Sequence, residues 1–153
     1  MTIRLQFVRG DSLASELIEW FSAGDYSHVD AVLPDGTLLG AHWGDGVRIR
    51  PPHYASWSKR ATVTMPDYTD ASELFYNDLR KQVGKPYDRS AIIGFAADRD
   101  WRETDSWFCS ELIAWAIERA DIFRHSLVAP ANKITPNALL LVLSALYRVQ
   151  VHQ

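Results

Sequence analysis

The fold class is decided by the stretch Tyr26-Ser-His-Val-Asp-Ala-Val-Leu-Pro-Asp-Gly-Thr-Leu-Leu-Gly-Ala-His42. Apolar and polar residues alternate from Tyr26 to Leu33, which is the period of a half-buried β-strand. Pro34-Asp-Gly-Thr37 has the composition of a tight turn, so the residues from Thr37 to His42 can return as the partner strand. The stretch therefore predicts a β-hairpin and, with it, an antiparallel sheet.

The same reasoning predicts further strands and helices on both sides of the hairpin. Alternation or a short β-rich run predicts strands over Ile3–Val8, Gly46–Arg50, Ala61–Met65 and Tyr147–Val151, the last at a sheet edge. Helical spacing of apolar residues predicts helices from Ser12 to about Ala23, Asp70 to Val83, Ser90 to Ala97, Ser106 to Ala120 and Pro136 to Ala145. A small antiparallel sheet with helices packed on it is an α+β fold.

Length and composition indicate a single globular domain over residues 1–153. The chain has 16 Lys and Arg against 19 Asp and Glu, a formal net charge of −3, and 47% of its residues are hydrophobic. These values exclude a disordered or fibrous chain. The mild acidic balance also argues against a nucleic-acid partner, because such proteins carry a basic face that neutralises phosphates. No linker or internal repeat divides the sequence.

The sequence favours neither a membrane span nor a secretion signal. The longest apolar run, Asn137 to Tyr147, is about half the roughly 20 residues that a bilayer crossing needs, and it predicts a buried helix. The first ten residues are interrupted by Arg4, Gln6 and Arg9 and lack the apolar core of a signal peptide. The cytoplasm is therefore the expected compartment.

Cys109 is the candidate nucleophile and the single cysteine of the chain, so no intramolecular disulfide is expected. It falls in the first turn of the helix predicted from Ser106, with Asp105 or Ser106 available as the N-cap. Unpaired N–H groups and the helix dipole there favour a thiolate over a thiol, and the same groups can hold the oxyanion of a tetrahedral intermediate. The alternative is a small buried hydrophobic residue without a chemical role.

A thiolate nucleophile needs a base nearby, and His28 is the candidate. The apolar residues of the Tyr26–Leu33 strand share one face, which leaves His28 and Asp30 together on the other. His42 lies across the predicted turn from His28, so either His42 or Asp30 can orient the imidazole. The alternative for each of these residues is a polar side chain with no task.

The remaining histidines and the glycines indicate no further chemistry. His53, His125 and His152 have no partner pattern and are interpreted as surface residues. The sequence has neither a close pair of cysteines nor a His-x-x-x-His, so no metal site is predicted. No glycine-rich turn opens a helix that could cradle a phosphate, and no cofactor is predicted.

Three elements of the sequence are Tyr26-Ser-His-Val29 on a strand, Gly84-Lys-Pro-Tyr-Asp88, and Trp107-Phe-Cys-Ser-Glu-Leu112 at a helix start. Together they resemble the circularly permuted branch of the NlpC/P60 superfamily of papain-like thiol hydrolases. In that branch the histidine strand precedes the cysteine helix, as His28 precedes Cys109 here. Arg9-Gly-Asp-Ser12 extends the resemblance, which covers residues 5–120. The resemblance implies a papain-like fold with the permuted topology.

The resemblance also implies roles for individual residues. Cys109 would be the nucleophile, with its own N–H in the oxyanion hole, and His28 the general base. Tyr87 matches the tyrosine of the Gly-x-Pro-Tyr element and is expected to line the substrate cleft, although a core tyrosine is equally consistent. The family places a third polar residue four positions beyond the turn glycine, which here is Gly40. His42, two residues later on the same face, can substitute for it; otherwise the enzyme works as a dyad or has lost activity.

The expected activity is hydrolysis of an amide or ester bond through a Cys109 thioester. Relatives cleave peptides and cell-wall amides or move acyl groups among lipids, so the resemblance implies a peptide, a peptidoglycan fragment or an acyl lipid as substrate. Two alternatives stay open: an acyltransferase acting on lipid-like substrates, and a catalytically silent binding module. Small stand-alone members of such families can also be phage-encoded, a second setting beside the cytoplasm.

Overall fold

The computed structural model describes residues 1–10, 24–88, 106–123 and 134–152. Within these ranges, six strands form one sheet and three helices accompany it. The strands are β1 (Thr2–Arg9), β2 (His28–Val32), β3 (Leu38–His42), β4 (Gly46–Arg50), β5 (Lys59–Asp67) and β6 (Arg148–His152), and the helices are α1 (Asp70–Lys81), α2 (Cys109–Arg119) and α3 (Pro136–Leu146). The prediction of an α+β fold is confirmed. The helices predicted from Ser12 to Ala23 and from Ser90 to Ala97 lie outside the described residues.

The sheet has the strand order β4-β3-β2-β1-β5-β6, and every neighbouring pair is antiparallel. The predicted hairpin is present as β2 and β3, and β6 lies at the sheet edge as predicted. The ladder between β2 and β3 pairs Ala31 with Leu39 and Val32 with Leu38. The hydrogen-bonded part of this hairpin therefore stops short of His28, whose partner in the sheet is Val8 of β1 on the other edge of β2.

Several element boundaries differ from the sequence prediction, and for β5 and α2 the reason is identifiable. β5 runs from Lys59 to Asp67, beyond the predicted Ala61–Met65, because all eight residues of β1 find partners along it. α2 begins at Cys109, later than the predicted Ser106, and its N-cap is Phe108. The predicted cap at Asp105 or Ser106 is wrong, because backbone hydrogen bonds hold Trp107 in an extended bridge with Tyr87.

The core lies where the three helices meet the sheet. Helix α2 contacts β2, β3, α1 and α3. The largest fully buried side chains are Tyr76, Phe7, Phe75, Phe108, Ile3, Leu5, Leu38, Leu39, Met65, Leu79, Leu112 and Ile113. Burying one such apolar side chain contributes about 1.5–3 kcal/mol. This packing fixes the start of α2, and with it Cys109, against the strands that carry the two histidines.

Helix α3 starts at Pro136, as predicted, and Thr135 caps it by accepting a hydrogen bond from the backbone N–H of Ala138 at 3.1 Å. The expectation that this helix is buried is wrong for one of its faces. Leu139 and Leu143 are fully buried, whereas Leu141 is 71% exposed. The helix packs against the core through one apolar stripe, as an amphipathic surface helix does. Among the described residues, no helix is both long enough and apolar enough to cross a membrane.

The Gly84-Lys-Pro-Tyr-Asp88 element connects the hairpin edge to the start of α2. On one side, the N–H of Val47 donates to the carbonyl of Lys85, and the N–H of Gly84 donates to the carbonyl of Val47, both at 2.9 Å. On the other side, Trp107 donates to Pro86 at 3.1 Å and accepts from Asp88 at 3.0 Å. Backbone hydrogen bonds thus bring two of the three elements of the family resemblance, the Gly84–Asp88 and Trp107–Leu112 segments, side by side.

We expect Gly46→Ala to break this connection. Gly46 has φ 72, and a Cβ there would lie 2.2 Å from the carbonyl oxygen of Lys85, so overpacking adds to backbone strain. The combined loss in the free energy of unfolding should be about 2–5 kcal/mol. Gly36→Ala is the matched control, because Gly36 has φ 88 with no atom within 4 Å of a Cβ, and it should lose only about 1–2 kcal/mol. Urea unfolding measures both; equal losses would contradict a close approach at Gly46.

Candidate active site

His28 and His42 come together at the open end of the hairpin. The register of the β2–β3 ladder, continued beyond its last hydrogen-bonded pair, sets Asp30 opposite Gly40 and His28 opposite His42. The ring centroids of the two histidines are 5.3 Å apart and the planes are tilted by 73°. The hairpin pairing inferred from the sequence therefore brings these residues side by side.

Cys109 is the first residue of α2, in the first turn as predicted. Two contacts hold this helix start in place. The N–H of Phe108 donates to the Glu111 carboxylate at 3.3 Å, and the Ser110 hydroxyl donates to the carbonyl of Ile134 at 2.5 Å. The N–H groups of a first helical turn have no partner within their own helix. The sulfur therefore lies at the positive end of the helix dipole, although its side chain is fully buried.

Cys109 lies close enough to His28 to influence the pKa of the imidazole. Burial lowers the pKa of His28, but the charge and hydrogen bond of Asp30, together with the hydrogen bond and charge of Cys109, raise it to about 10. The imidazole is therefore protonated at neutral pH, which places a cation beside the sulfur.

Asp30 supplies most of the opposite charge that His28 needs. Its Oδ1 lies 3.0 Å from Nε2 of His28, and its Oδ2 accepts a hydrogen bond from the Tyr54 hydroxyl at 3.0 Å. The Tyr54 oxygen also lies 3.4 Å from Nε2 of His28. Burial raises the pKa of Asp30, but His28, Tyr54 and Arg50 together hold it below its ordinary value. The pair is therefore a buried carboxylate with a buried imidazolium.

Gly40 makes room for this carboxylate. A Cβ at position 40 would lie 2.1 Å from Oδ1 of Asp30, a distance no real contact reaches. Asp30 therefore fills the space that a side chain on β3 would otherwise take. Position 40 is where the sequence departs from the family pattern. The glycine there has no side chain, and this allows Asp30 on the neighbouring strand to occupy the space.

His42 lies beside His28 but makes a different contact from the one predicted. Its Nδ1 is 3.1 Å from the carbonyl oxygen of Trp43, whereas Nε2 of His28 is occupied by Asp30 and Tyr54. Burial and the positive charge of His28 both lower the pKa of His42. His42 is therefore a mainly neutral ring packed edge-on against the imidazolium.

Tyr87 lies in an aromatic row that leads to the cysteine. Its ring centroid is 5.8 Å from that of Trp43 and 5.8 Å from that of Phe108, the residue before Cys109. Burial raises the pKa of the Tyr87 phenol well above its ordinary value, and the charges of Cys109 and Asp88 add to the effect. Tyr87 is thus both a neighbour of Cys109 and a buried residue of the core cluster.

Sequence reasoning missed Tyr54 and Arg50. Arg50 is buried, donates to the carbonyls of Gly40 and Gly46 at 3.2 and 3.1 Å, and lies with its guanidinium over the Tyr54 ring. Tyr54 follows Pro51-Pro52 in an irregular segment, where no periodicity signals a role. His53 and His152 are exposed, as predicted, and His125 lies outside the described residues.

No group of three His, Cys, Asp or Glu side chains in the described ranges is arranged to hold a metal ion. Cys109, His28 and Asp30 instead satisfy one another by charge and hydrogen bonding. Tyr54 completes the arrangement as a neutral donor, because burial and the charge of Asp30 raise the pKa of its phenol far above the ordinary value. The described site is suited to proton transfer and nucleophilic attack.

We expect His28 to remain protonated far above the ordinary histidine range. Folding raises its pKa from 6.5 to about 10, so the stabilisation is complete below pH 6.5 and is lost as the pH rises through about 10. Two-dimensional ¹⁵N NMR of the imidazole nitrogens, titrated from pH 5 to 10.5, measures this directly. His53, which is exposed, provides the internal reference signal in the same spectra. A neutral His28 ring at pH 8 would contradict the buried ion pair.

Comparison with known proteins yields a match of fold. No protein-family model matches the sequence, and no curated protein matches it. Among solved structures, the metalloprotein yiiX from Escherichia coli O157:H7 superposes with a TM-score of 0.60 at 21% sequence identity. The match covers 81% of this chain and 68% of that chain. The chain therefore shares its fold with yiiX over most of its length.

Proposed function

We propose that this protein is a papain-like thiol hydrolase of the circularly permuted NlpC/P60 type, which cleaves an amide or ester bond. The observation that carries the proposal is the contact between a helix-start cysteine and a protonated histidine, Cys109 and His28. The order of the two along the chain, histidine strand before cysteine helix, agrees with the permuted branch. An antiparallel sheet against which the cysteine helix packs is also what that topology requires.

The chemistry follows from the charges of the pair. The thiolate of Cys109 attacks the substrate carbonyl carbon, and the C=O bond becomes a C–O⁻ that the N–H groups of the first turn of α2 can bind. When the carbonyl reforms, the bond to the leaving amine or alcohol breaks, and His28 gives that leaving group its proton. The product is a Cys109 thioester, and His28 is left neutral.

Water completes the cycle. Neutral His28 takes a proton from a water molecule, which attacks the thioester carbonyl, and the second tetrahedral intermediate collapses to release a carboxylic acid and the thiolate. His28 is protonated again and the pair is restored. If an alcohol or amine replaces water in this step, the same site is an acyltransferase. The side chain of Cys109 is fully buried, so a neighbouring side chain must move aside for the carbonyl to reach the sulfur.

Aromatic side chains near the nucleophile support a substrate with an apolar acyl portion. Trp43 is 45% exposed and packs edge-on against Tyr87, so an aromatic surface leads towards Cys109. Such a surface suits a peptide, a peptidoglycan fragment or an acyl lipid. A catalytically silent binding module is the second candidate, favoured by the absence of a polar side chain at Gly40. The carboxylate of Asp30 argues against a silent module. It places a polar, charged group beside Gly40, although position 40 itself carries no polar side chain.

The experiment is the capture of the acyl-enzyme. With p-nitrophenyl acetate, intact-mass analysis should show one acetyl group per chain, on the only cysteine, removed by neutral hydroxylamine as a thioester is. The Cys109→Ala variant should gain no hydroxylamine-sensitive acetyl group. Because yiiX is a metalloprotein by name, the reaction is repeated after treatment with a chelator, which should leave the rate unchanged. Absence of the adduct, or its loss with chelation, would contradict the proposal.

A further inference from the structure

We infer that Asp30 is the positioning residue of this site, and that the polar group which related hydrolases carry on β3 has moved to β2. The inference rests on the proposed function and goes beyond it, since it assigns the third member and its support. The resemblance places that member at position 40, where this chain has glycine, and His42 is the substitute it suggests. Asp30 is the second candidate, because it shares a strand face with His28. The geometry of the site favours Asp30 over His42.

The choice rests first on which atom of His28 each candidate reaches. Oδ1 of Asp30 lies 3.0 Å from Nε2 of His28 in an ion pair, and no other donor in the described part of the chain reaches this oxygen. His42 directs its Nδ1 to the carbonyl of Trp43 and meets His28 only ring to ring. Pairing Nε2 with a carboxylate leaves Nδ1 as the ring nitrogen free for Cys109, as an orienting residue should.

Positions 30 and 40 lie on neighbouring strands and compete for the same space. Asp30 and Gly40 face each other in the continued β2–β3 register, and the carboxylate occupies the volume in which a side chain at 40 would begin. A polar side chain at either position, but not at both, can therefore reach Nε2 of His28. The two positions are alternatives for one function.

Neighbouring side chains also hold the Asp30 carboxylate in place. The Tyr54 hydroxyl donates to Oδ2 at 3.0 Å, which directs Oδ1 towards His28. Arg50 lies over the Tyr54 ring and is tied to two backbone carbonyls, so it fixes the ring and adds a positive charge near Asp30. Both partners come from β4 and the segment that follows it. Tyr54 is thus a positioning residue for Asp30, as Asp30 is for His28.

The test exchanges the two positions. Asp30→Ala should slow acetylation of Cys109 by p-nitrophenyl acetate by up to about 10⁴-fold, the loss seen when the orienting carboxylate of a catalytic triad is replaced. Gly40→Asp alone should be destabilised by the clash with Asp30. The double variant Asp30→Ala/Gly40→Asp should recover at least about tenfold of the lost rate, because the clash with Asp30 is gone and the carboxylate returns from the other strand, although the new Cβ lies 3.2 Å from the carbonyl oxygen of Val29.

The His28 titration separates positioning from a loss of folding. In Asp30→Ala, burial acts without its main opposing charge, so the pKa of His28 should fall, and it should rise again in the double variant. If Asp30→Ala does not fold, Asp30→Asn keeps its shape and should show the same slowing and the same fall. Tyr54→Phe keeps the ring and loses only the hydroxyl, and should slow acetylation and lower the pKa of His28. Tyr68→Phe, which loses a hydroxyl bonded to Tyr147, is its control.

The inference is overturned if Asp30→Ala keeps the wild-type rate and the wild-type His28 titration, or if the double variant recovers neither. In both cases the proposed function stands as long as wild-type Cys109 is acetylated with the help of His28. If the wild type itself shows no such acetylation, the proposed function fails first.

Discussion

His28→Ala will destabilise the protein at neutral pH by about 3–5 kcal/mol, much more than removal of an ordinary histidine. The reason is the carboxylate that stays behind. Asp30 is 1% exposed, and its pKa is held low mainly by the charge of His28. Without that cation a buried anion is left with Tyr54 and the more distant charge of Arg50, and burial then dominates.

The pH dependence identifies the cause of this loss. In the variant, burial raises the pKa of Asp30, so the carboxyl is neutral in acid and costs little there. The difference in the free energy of unfolding between wild type and variant should therefore shrink as the pH falls from 7 to 4. Urea unfolding followed by circular dichroism at several pH values measures it, with His53→Ala as the control at an exposed histidine. A pH-independent difference below about 1 kcal/mol would contradict a buried ion pair.

Cys109→Ala will abolish turnover of an activated ester, by a factor of about 10³ or more, while leaving the fold in place. The thiol is the only sulfur nucleophile of the chain that can carry the acyl group, and no other cysteine can take over its role. The side chain is fully buried, and alanine removes only the sulfur, so the helix start should keep its contacts through Ser110 and Glu111. Steady-state release of p-nitrophenolate, after subtraction of the buffer rate, measures the loss.

The control for this variant is its stability. Thermal unfolding should give a transition close to that of the wild type, because loss of turnover then has a chemical cause. Residual turnover above one tenth of the wild-type rate in a folded Cys109→Ala protein would mean that another residue carries the acyl group. Loss of turnover together with loss of the folded state would have to be separated with Cys109→Ser.

The sequence predicted the sheet well because its signals are local. The alternation around His28, the turn at Pro34–Thr37 and the proline at the start of α3 each act within a few residues, and all three are confirmed. The prediction was wrong where a long-range contact decides the boundary. The start of α2 is set by the Trp107 hydrogen bonds to Pro86 and Asp88, which no local pattern reveals. The exposed face of α3 was missed because hydrophobicity alone does not show what covers it.

The site was predictable in part for the same reason. His28 and His42 were brought together by counting outward from one turn, since hairpin register is a local property. The sequence also indicates Asp30 as an orienting residue, because it shares a strand face with His28. The choice between Asp30 and His42 depends on which atoms face each other, and no sequence pattern shows that. The role of Tyr54 could not be predicted from the sequence. This residue lies in an irregular segment and contacts Asp30 through a hydrogen bond that no local pattern signals.

The pairing of Cys109 with His28 is tested most directly by the rate of alkylation with iodoacetamide, measured from pH 5 to 9 in the wild type and in His28→Gln. If the two residues form a thiolate–imidazolium pair, the wild type will react rapidly already at pH 6 and its rate will change little up to pH 8, where His28 is still charged. In His28→Gln the rate at pH 6 will fall by at least about tenfold and will rise with pH as for an ordinary thiol. The same slow, pH-dependent alkylation in both proteins would contradict the pair and the hydrolase built on it.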